Sequence, residues 1–526
     1  MTRIRPQAST VKVPTAAPLS ARAAGVLCHL SSLPGPGAIG DLGEEAHRFL
    51  DFLAAAGQRY WQMLPVNPVG DGCSPYGSNS SFAGEPLFID PRGLLRDGLI
   101  TKTSYAAYVR DSARIGVNAT DYRKARALRA PLWREAAARF TQRRGFESTD
   151  YQLFREQNAN WLETYAAFRV LGERYETEQW WQWPEQHRWL NEHTVAAVAG
   201  QHLGAFNYEC FLQFQFEQQW QELRERARRR GVSLIGDLPI FVAHASADVW
   251  GSPHEFLLTE DGTLRFKAGV PPDYFCPEGQ LWGNALYDWD AMARTNFRWW
   301  LARFARMLAL FDVVRIDHFI GFHRAWHIPG AAKSAKNGEW RPIPGRALFE
   351  ATQRELGGTP FIAEDLGSVT PEVWQLRDDF GMPGMRVLQF GFGTDEGAAY
   401  HRPHGYGENS VVYTGTHDND TCRGWYRAVK AMSTKRSPVY DLARVDGYFG
   451  VKEPEIAAAM IRSAMASTPR TCIVPIQDHL GLGAKARMNI PGVAKGNWRF
   501  RLPPKALTPR LAAGMRTLTR ATDRMP

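Results

Sequence analysis

Eight short apolar runs recur along this chain of 526 residues, and each stops at a polar or Gly-rich loop. They are GVLCHLSSLP (25–34), YWQMLPVNP (60–68), VSLIGDLPIF (232–241), VVRIDHF (313–319), PFIAEDLG (360–367), MRVLQFGF (385–392), SVVYTGTHD (410–418) and CIVPIQDHLGL (472–482). Continuous apolar strands separated by helices imply a parallel sheet covered on both faces, and eight such units are the number that closes a barrel. The expected fold class is therefore α/β, a (β/α)8 TIM barrel with helical and loop insertions. Helical patterns stand between many of the runs: DLGEEAHRFLDFLAAAG (41–57) has apolar residues at helical spacing and a Gly stop, and WDAMARTNFRWWLARFARMLALF (289–311) is longer still.

The spacing is uneven. Residues 91–230 separate the second and third runs, more than a helix with its loops requires. Helix formers and Trp dominate there (APLWREAAARFTQRR, WWQWPEQHRWLNEH), so a helical insertion is expected. Residues 244–288 and 321–345 are shorter, rich in Gly, Pro and aromatics, and read as loops that build a site. The expected organisation is a basic N-terminal tail over 1–24 and one catalytic barrel over 25–526 that carries these insertions.

A net charge of +9 raises nucleic acid as a partner, but the charge is not on the body. Residues 1–24 carry +4 without an acid and residues 499–526 carry +6, leaving the stretch between them at −1. Solvated termini are the simplest reading, with neither nucleic acid nor membrane as partner. No apolar run approaches the roughly 20 residues of a spanning helix, and the first residues lack the hydrophobic centre of a secretory signal. A soluble, cytoplasmic protein is expected. Six cysteines lie far apart without zinc-like spacing, as suits reduced thiols.

In a βα barrel the site lies at the C-terminal ends of the strands. The fourth run ends in Asp317, the fifth in Glu364 and Asp365, the seventh in His417 and Asp418, and the third carries Asp237. Strand alternation puts Arg315 and Asp317 on one face and Val314 and Ile316 on the other. An Arg beside an Asp favours the carboxylate a nucleophile needs, while a second carboxyl kept protonated by nearby negative charge can serve as acid. Paired Asp and Glu in such contrasting surroundings are the apparatus of retaining glycoside chemistry. Sugar chemistry also calls for planar aromatics and amides, and CSPYGSNSSFAG (73–84) and GVPPDYFCPEGQLWGN (269–284) supply both.

The motifs SLPGPGAIGDLG, SPYGSNSSFAG, GDLPIFV, PPDYFCPEGQLWGN, RIDHFIGF, IAEDLG, VVYTGTHDNDT, GLGAKARMNIPG and NWRFR follow one another from Gly25 to Arg501. In that order the chain resembles the amylomaltases, the 4-α-glucanotransferases of glycoside hydrolase family 77. The resemblance implies retaining transfer of α-1,4-glucan segments by a (β/α)8 barrel. It gives Asp317 as nucleophile, Glu364 as general acid/base and Asp418 as the third acid that stabilises the transition state. By the same resemblance Arg315, His318, His417, Asp237 and Tyr76 surround the sugar being cleaved, and Ser74, Gln280, Trp282, Asn284 and Asn489 hold outer sugars. Tyr274 and Phe275 fall in a mobile loop over the acceptor side, within a glucan-binding loop region at 244–288. Two departures stand out: Lys485 where the family commonly shows an acid, and HLSSLP in the first run.

Other readings stay open at this point. An amylase-type α-1,4-glucan hydrolase would use the same three acids. Asp317, His318, Glu364, His417 and Asp418 also form an N/O set suited to a metal, but neighbours on a strand face opposite ways, so Asp317 and His318 share one ion only if the strand has ended. A glycan-binding scaffold would be expected to lack one of the acids. No cofactor and no metal is expected; α-1,4-glucans and malto-oligosaccharides are the expected partners.

Overall fold

Strands buried on both faces need a partner on each edge and a helix outside, and the chain meets that need by closing on itself. The computed structural model describes residues 19–526 apart from 71, 117, 273–277, 368 and 434–438. All eight apolar runs contain a strand: β1 Ala23–Leu27, β2 Tyr60–Gln62, β3 Ser233–Leu238, β4 Val313–Ile316, β5 Phe361–Ala363, β6 Gly384–Val387, β7 Ser410–Tyr413 and β8 Thr471–Pro475. They pair in parallel in chain order, and β8 returns to β1 with Ala23 opposite Thr471. Gly25 permits the β1–β2 approach, since a Cβ there would lie 2.5 Å from the Tyr60 Cβ and 2.6 Å from its carbonyl oxygen.

The helix Glu44–Ala55 buries Ala46, Phe49, Leu50, Phe52 and Leu53, a stripe at 3.6-residue spacing that faces the barrel. It ends before Gly57, whose left-handed φ of 68° costs a glycine least. The pattern at 289–311 is two helices, Trp289–Arg294 and Arg298–Leu310, rather than one. Asn296 and Phe297 between them take left-handed φ of 52° and 54°, and the turn buries the Phe297 ring. No α-helix covers the β6–β7 connection; three 3-10 turns, Leu388–Phe392, Glu396–His401 and Pro403–Gly405, take its place. The β2–β3 connection is largely helical and ends in the long helix Leu203–Arg229.

The two shorter insertions pair with each other. Strands Gln280–Ala285, Phe266–Val270, Arg324–Pro329 and Glu339–Pro342 form one antiparallel sheet in that order. Cross-strand packing holds it, for Trp326 lies opposite Trp340 with ring centroids 5.3 Å apart. Read singly, each insertion shows only a loop-like composition.

Among the described basic residues of the two ends, Arg499, Lys505, Arg510, Arg516 and Arg520 are exposed, as their composition had implied, whereas Arg22, Arg501 and Arg524 turn inward. Arg22 donates to the carbonyls of Ser467 and Thr522, both at 2.9 Å. Arg501 is 4% exposed and donates to Leu33 O at 3.3 Å. Arg524 is fully buried and donates to five carbonyls, those of Ala23, Met465, Ser467, Pro469 and Arg470, at 2.7–3.1 Å. Arg22 and Arg524 pin the end of the final helix, Pro509–Ala521, against the β8–β1 seam. Arg524→Ala removes the buried guanidinium that ties all five carbonyls together, while Arg22 still reaches only those of Met465, Ser467 and Pro469, so stability is expected to fall by about 3 kcal/mol, read from urea unfolding. Lys should not restore it, because one ammonium cannot span five acceptors.

Among the described residues no helix is long and apolar enough to cross a membrane. Cys28, Cys73, Cys210, Cys422 and Cys472 are free thiols.

Candidate active site

Three backbone hydrogen bonds stitch the ends of β3, β4 and β5 together. Asp317 N donates to Leu238 O at 3.0 Å, Glu364 N to Ile316 O at 3.0 Å, and Phe319 N to Glu364 O at 3.1 Å. This brings Asp237, Asp317 and Glu364 to neighbouring positions at one mouth, although 127 positions separate the first from the last in sequence. The strand has already ended at Ile316. His318 then takes a left-handed conformation, φ 53° and ψ 53°, a rare one for a residue with Cβ. The turn aims its N–H at Glu364 Oε2, 2.6 Å away, and packs the ring edge-on to Trp282 with centroids 4.9 Å apart.

Arg315 is the electrostatic centre. Its Nη1 lies 2.7 and 2.9 Å from the two oxygens of Asp237 and 3.0 Å from Asp317 Oδ1. Asp237 is fully buried, while Asp317 is 29% exposed and open to the mouth. Tyr76 O–H donates to Asp237 Oδ2 at 2.8 Å. One cation therefore serves a buried carboxylate below and a partly exposed one above. Burial raises the Asp237 carboxyl against the pull of Arg315.

Glu364 meets different forces. Burial pushes its carboxyl well above the usual carboxylate range, Asp317 adds to the rise, and Arg315 opposes it. A carboxyl in that position holds a proton at a pH where an ordinary one has lost it. Burial also lowers His318 to about 4, so its ring is neutral at pH 7. Asp365, the other acid at this strand end, is buried away from the mouth, paired with Arg377 and accepting from Met385 N at 2.7 Å.

The third sector follows β7. His417 stacks on Tyr76 with centroids 5.0 Å apart and interplanar angle 17°, and its Nε2 lies 3.3 Å from Asp418 Oδ1. Asp418 is 42% exposed. Asn489, read from sequence as an outer-sugar residue, donates from Nδ2 to Asp418 Oδ1 at 2.6 Å. Gln280, Trp282 and Asn284 lie along one strand of the inserted sheet, whose register shifts between the Gly269–Leu281 and Lys267–Ala285 pairs, with Gly283 at φ 79°. Trp282 is 38% exposed, and its Nε1 donates to Gln280 Oε1 at 3.1 Å. Ser74 Oγ accepts from Tyr76 N at 3.3 Å, two residues along the same loop. Tyr274 and Phe275 lie outside the described residues.

Sequence reading passed over three neighbours. Met385 places its Sδ 3.4 Å from Arg315 Nε; Trp498 sits 5.8 Å from Tyr76 and 6.1 Å from His417; Arg487 donates to Asp418 O at 2.6 Å. The last two fall within GLGAKARMNIPG and NWRFR, motifs already singled out, so the signal was present without a role. Among the described residues no group of three or more His, Cys, Asp or Glu is arranged to hold a metal ion.

The site combines a carboxylate paired with a guanidinium, a second carboxyl biased toward its protonated form, and an open third acid. That set can form and break a covalent acetal ester. Comparison with known proteins agrees. A family model described as 4-alpha-glucanotransferase matches residues 28–508. A 4-alpha-glucanotransferase of Thermus thermophilus is 43% identical over 512 residues, covering 96% of this chain and 99% of that protein. A chloroplastic/amyloplastic 4-alpha-glucanotransferase of Solanum tuberosum is 40% identical over 93% of this chain and 84% of its own. The amylomaltase from Streptococcus agalactiae, solved in complex with acarbose, superposes with a TM-score of 0.88 at 33% identity, over 96% of this chain and 100% of that one.

Proposed function

The chain belongs to the 4-alpha-glucanotransferase family, glycoside hydrolase family 77, and from that membership we propose how its residues divide the transfer reaction. The activity is transfer between α-1,4-glucans. Asp317 is the nucleophile: Arg315 holds Oδ1 at 3.0 Å, and Oδ2 is the oxygen we assign to the anomeric carbon. Attack there breaks the bond to the glycosidic oxygen, Glu364 gives its proton to that oxygen, and the reducing-end fragment leaves. A β-glucosyl ester on Asp317 results. An incoming 4-hydroxyl then attacks the same carbon from the opposite face, its proton passes to Glu364, and the ester carboxylate departs. Two inversions return the α-configuration.

Asp418 hydrogen-bonds the hydroxyls of the reacting sugar, and Trp282 offers an aromatic face at the rim. Asp237 and Tyr76 act from below by fixing Arg315. The observation that carries this reading is the contrast between the two acids: Asp317 on the Arg315 guanidinium, Glu364 held by the His318 N–H in surroundings that favour its proton.

Water at about 55 M competes for the ester, and a bound acceptor wins because effective molarities of well-held groups reach roughly 10⁵ M or more. Residues 269–284, with Tyr274 and Phe275, are the segment we assign to excluding water. We also read residues 25–526 as one catalytic barrel with the three insertions, and the compartment as cytoplasmic, on its free thiols.

Maltotriose tests the reaction. The expected product is a ladder of longer and shorter malto-oligomers with all new linkages α, seen by mass spectrometry and proton NMR. Breakdown to glucose and maltose without longer products would identify a hydrolase instead.

A further inference from the structure

Asp418 is not on a strand. β7 ends at Tyr413, so the third acid stands on a loop, and its accuracy has to come from what packs on that loop. Thr416 and Asn419 close a local turn, with Thr416 N donating to Asn419 Oδ1 at 2.9 Å, and Asp418 N lies 3.3 Å from Thr416 Oγ1. His417 Nε2 lies 3.3 Å from Asp418 Oδ1, and four further ties come from one short stretch on the far side of β8. Arg487 Nη2 donates to Asp418 O at 2.6 Å and its Nε to Asn489 O at 2.7 Å. Asn489 N donates to His417 O at 3.0 Å, and Asn489 Nδ2 to Asp418 Oδ1 at 2.6 Å.

We propose that Arg487 is a positioning residue for the third acid. Its planar fork locks two backbone carbonyls, one on Asp418 and one on Asn489, so that the Asn489 amide meets Oδ1 and Oδ2 is left to the sugar. A lysine at this position has no second donor at fixed angle and cannot hold both carbonyls. Arg487 touches no reacting atom in this arrangement; it acts through Asp418. The inference rests on the reading of Asp418 as third acid given above. Misplacing a group by about 1 Å costs on the order of 10²-fold when that group works in the transition state. An interaction stronger in the transition state than in the ground state shows in kcat rather than KM.

Arg487→Ala is therefore expected to lower kcat for maltotriose about 100-fold with KM changed less than about 3-fold. Arg487→Lys should lose nearly as much, and added guanidinium ion should recover activity in the alanine variant but not in wild type. The decisive measurement is a double-mutant cycle. In an Asp418→Asn background, Arg487→Ala should have little further effect on kcat, because the side chain through which it acts is gone. A multiplicative loss in that background, wild-type kcat in Arg487→Ala, or a loss confined to thermal stability would each overturn the proposal. The reading of Asp418 fails separately, and visibly, if Asp418→Asn alone keeps near wild-type kcat.

Discussion

Asp317→Asn is expected to abolish the maltotriose ladder, with kcat down by about 10⁴-fold or more. An amide of the same shape keeps its packing and still accepts a hydrogen bond, but it cannot form the ester. The fold should survive, because Arg315 retains both contacts to Asp237 at 2.7 and 2.9 Å and its buried charge is not orphaned. Intact mass after rapid quenching supplies the second readout. Wild type incubated with an activated maltosyl donor should carry a maltosyl adduct that maps to the peptide containing Asp317, and the variant none. Activity within about tenfold of wild type would remove Asp317 from the nucleophile's place.

Glu364→Gln is expected to separate the two half-reactions. On maltotriose the loss should be about 10³-fold, as for removal of a general acid. On α-maltosyl fluoride, whose leaving group needs no proton, the first step should persist and the ester should accumulate. Azide, which needs no base, should then release α-maltosyl azide. The pH profile carries the same information. Only the protonated carboxyl can donate, so wild-type kcat/KM should fall as pH rises through the raised pKa of Glu364, and the fluoride reaction of the variant should lose that limb. Stability moves the same way with pH. An unfolded glutamate titrates near 4.5 and the folded one higher, so deprotonation favours the unfolded chain as pH rises between the two. The amide that replaces Glu364 has no proton to lose and still accepts from the His318 N–H. The variant should match wild type in Tm at pH 4 and exceed it at pH 8; a lower Tm at pH 8 would contradict the electrostatic argument.

How far the sequence led depends on the range of the interaction concerned. RIDHF and IAEDLG display their acids because strand alternation and strand ends are local properties. The left-handed turn at His318, which carries an N–H from the neighbour of Asp317 to Glu364, was not legible, since no glycine or asparagine marks it. Asn489 was found by motif but without its partner, because Asp418 lies 71 residues away. Arg487 stood inside a motif already singled out, but its partner, the carbonyl of Asp418, lies 69 residues away. The inserted sheet was missed for a related reason: 266–285 and 324–342 become strands only by pairing with each other.

The sequence alone settled the barrel and its family, since eight doubly buried strands impose a recurring apolar pattern that burial demands wherever the partners lie. Tertiary structure alone decided which oxygen each acid presents. Arg315 shared between Asp237 and Asp317, and Arg487 reaching across to the loop of Asp418, are ion pairs and hydrogen bonds whose directions exist only once the strand ends have met.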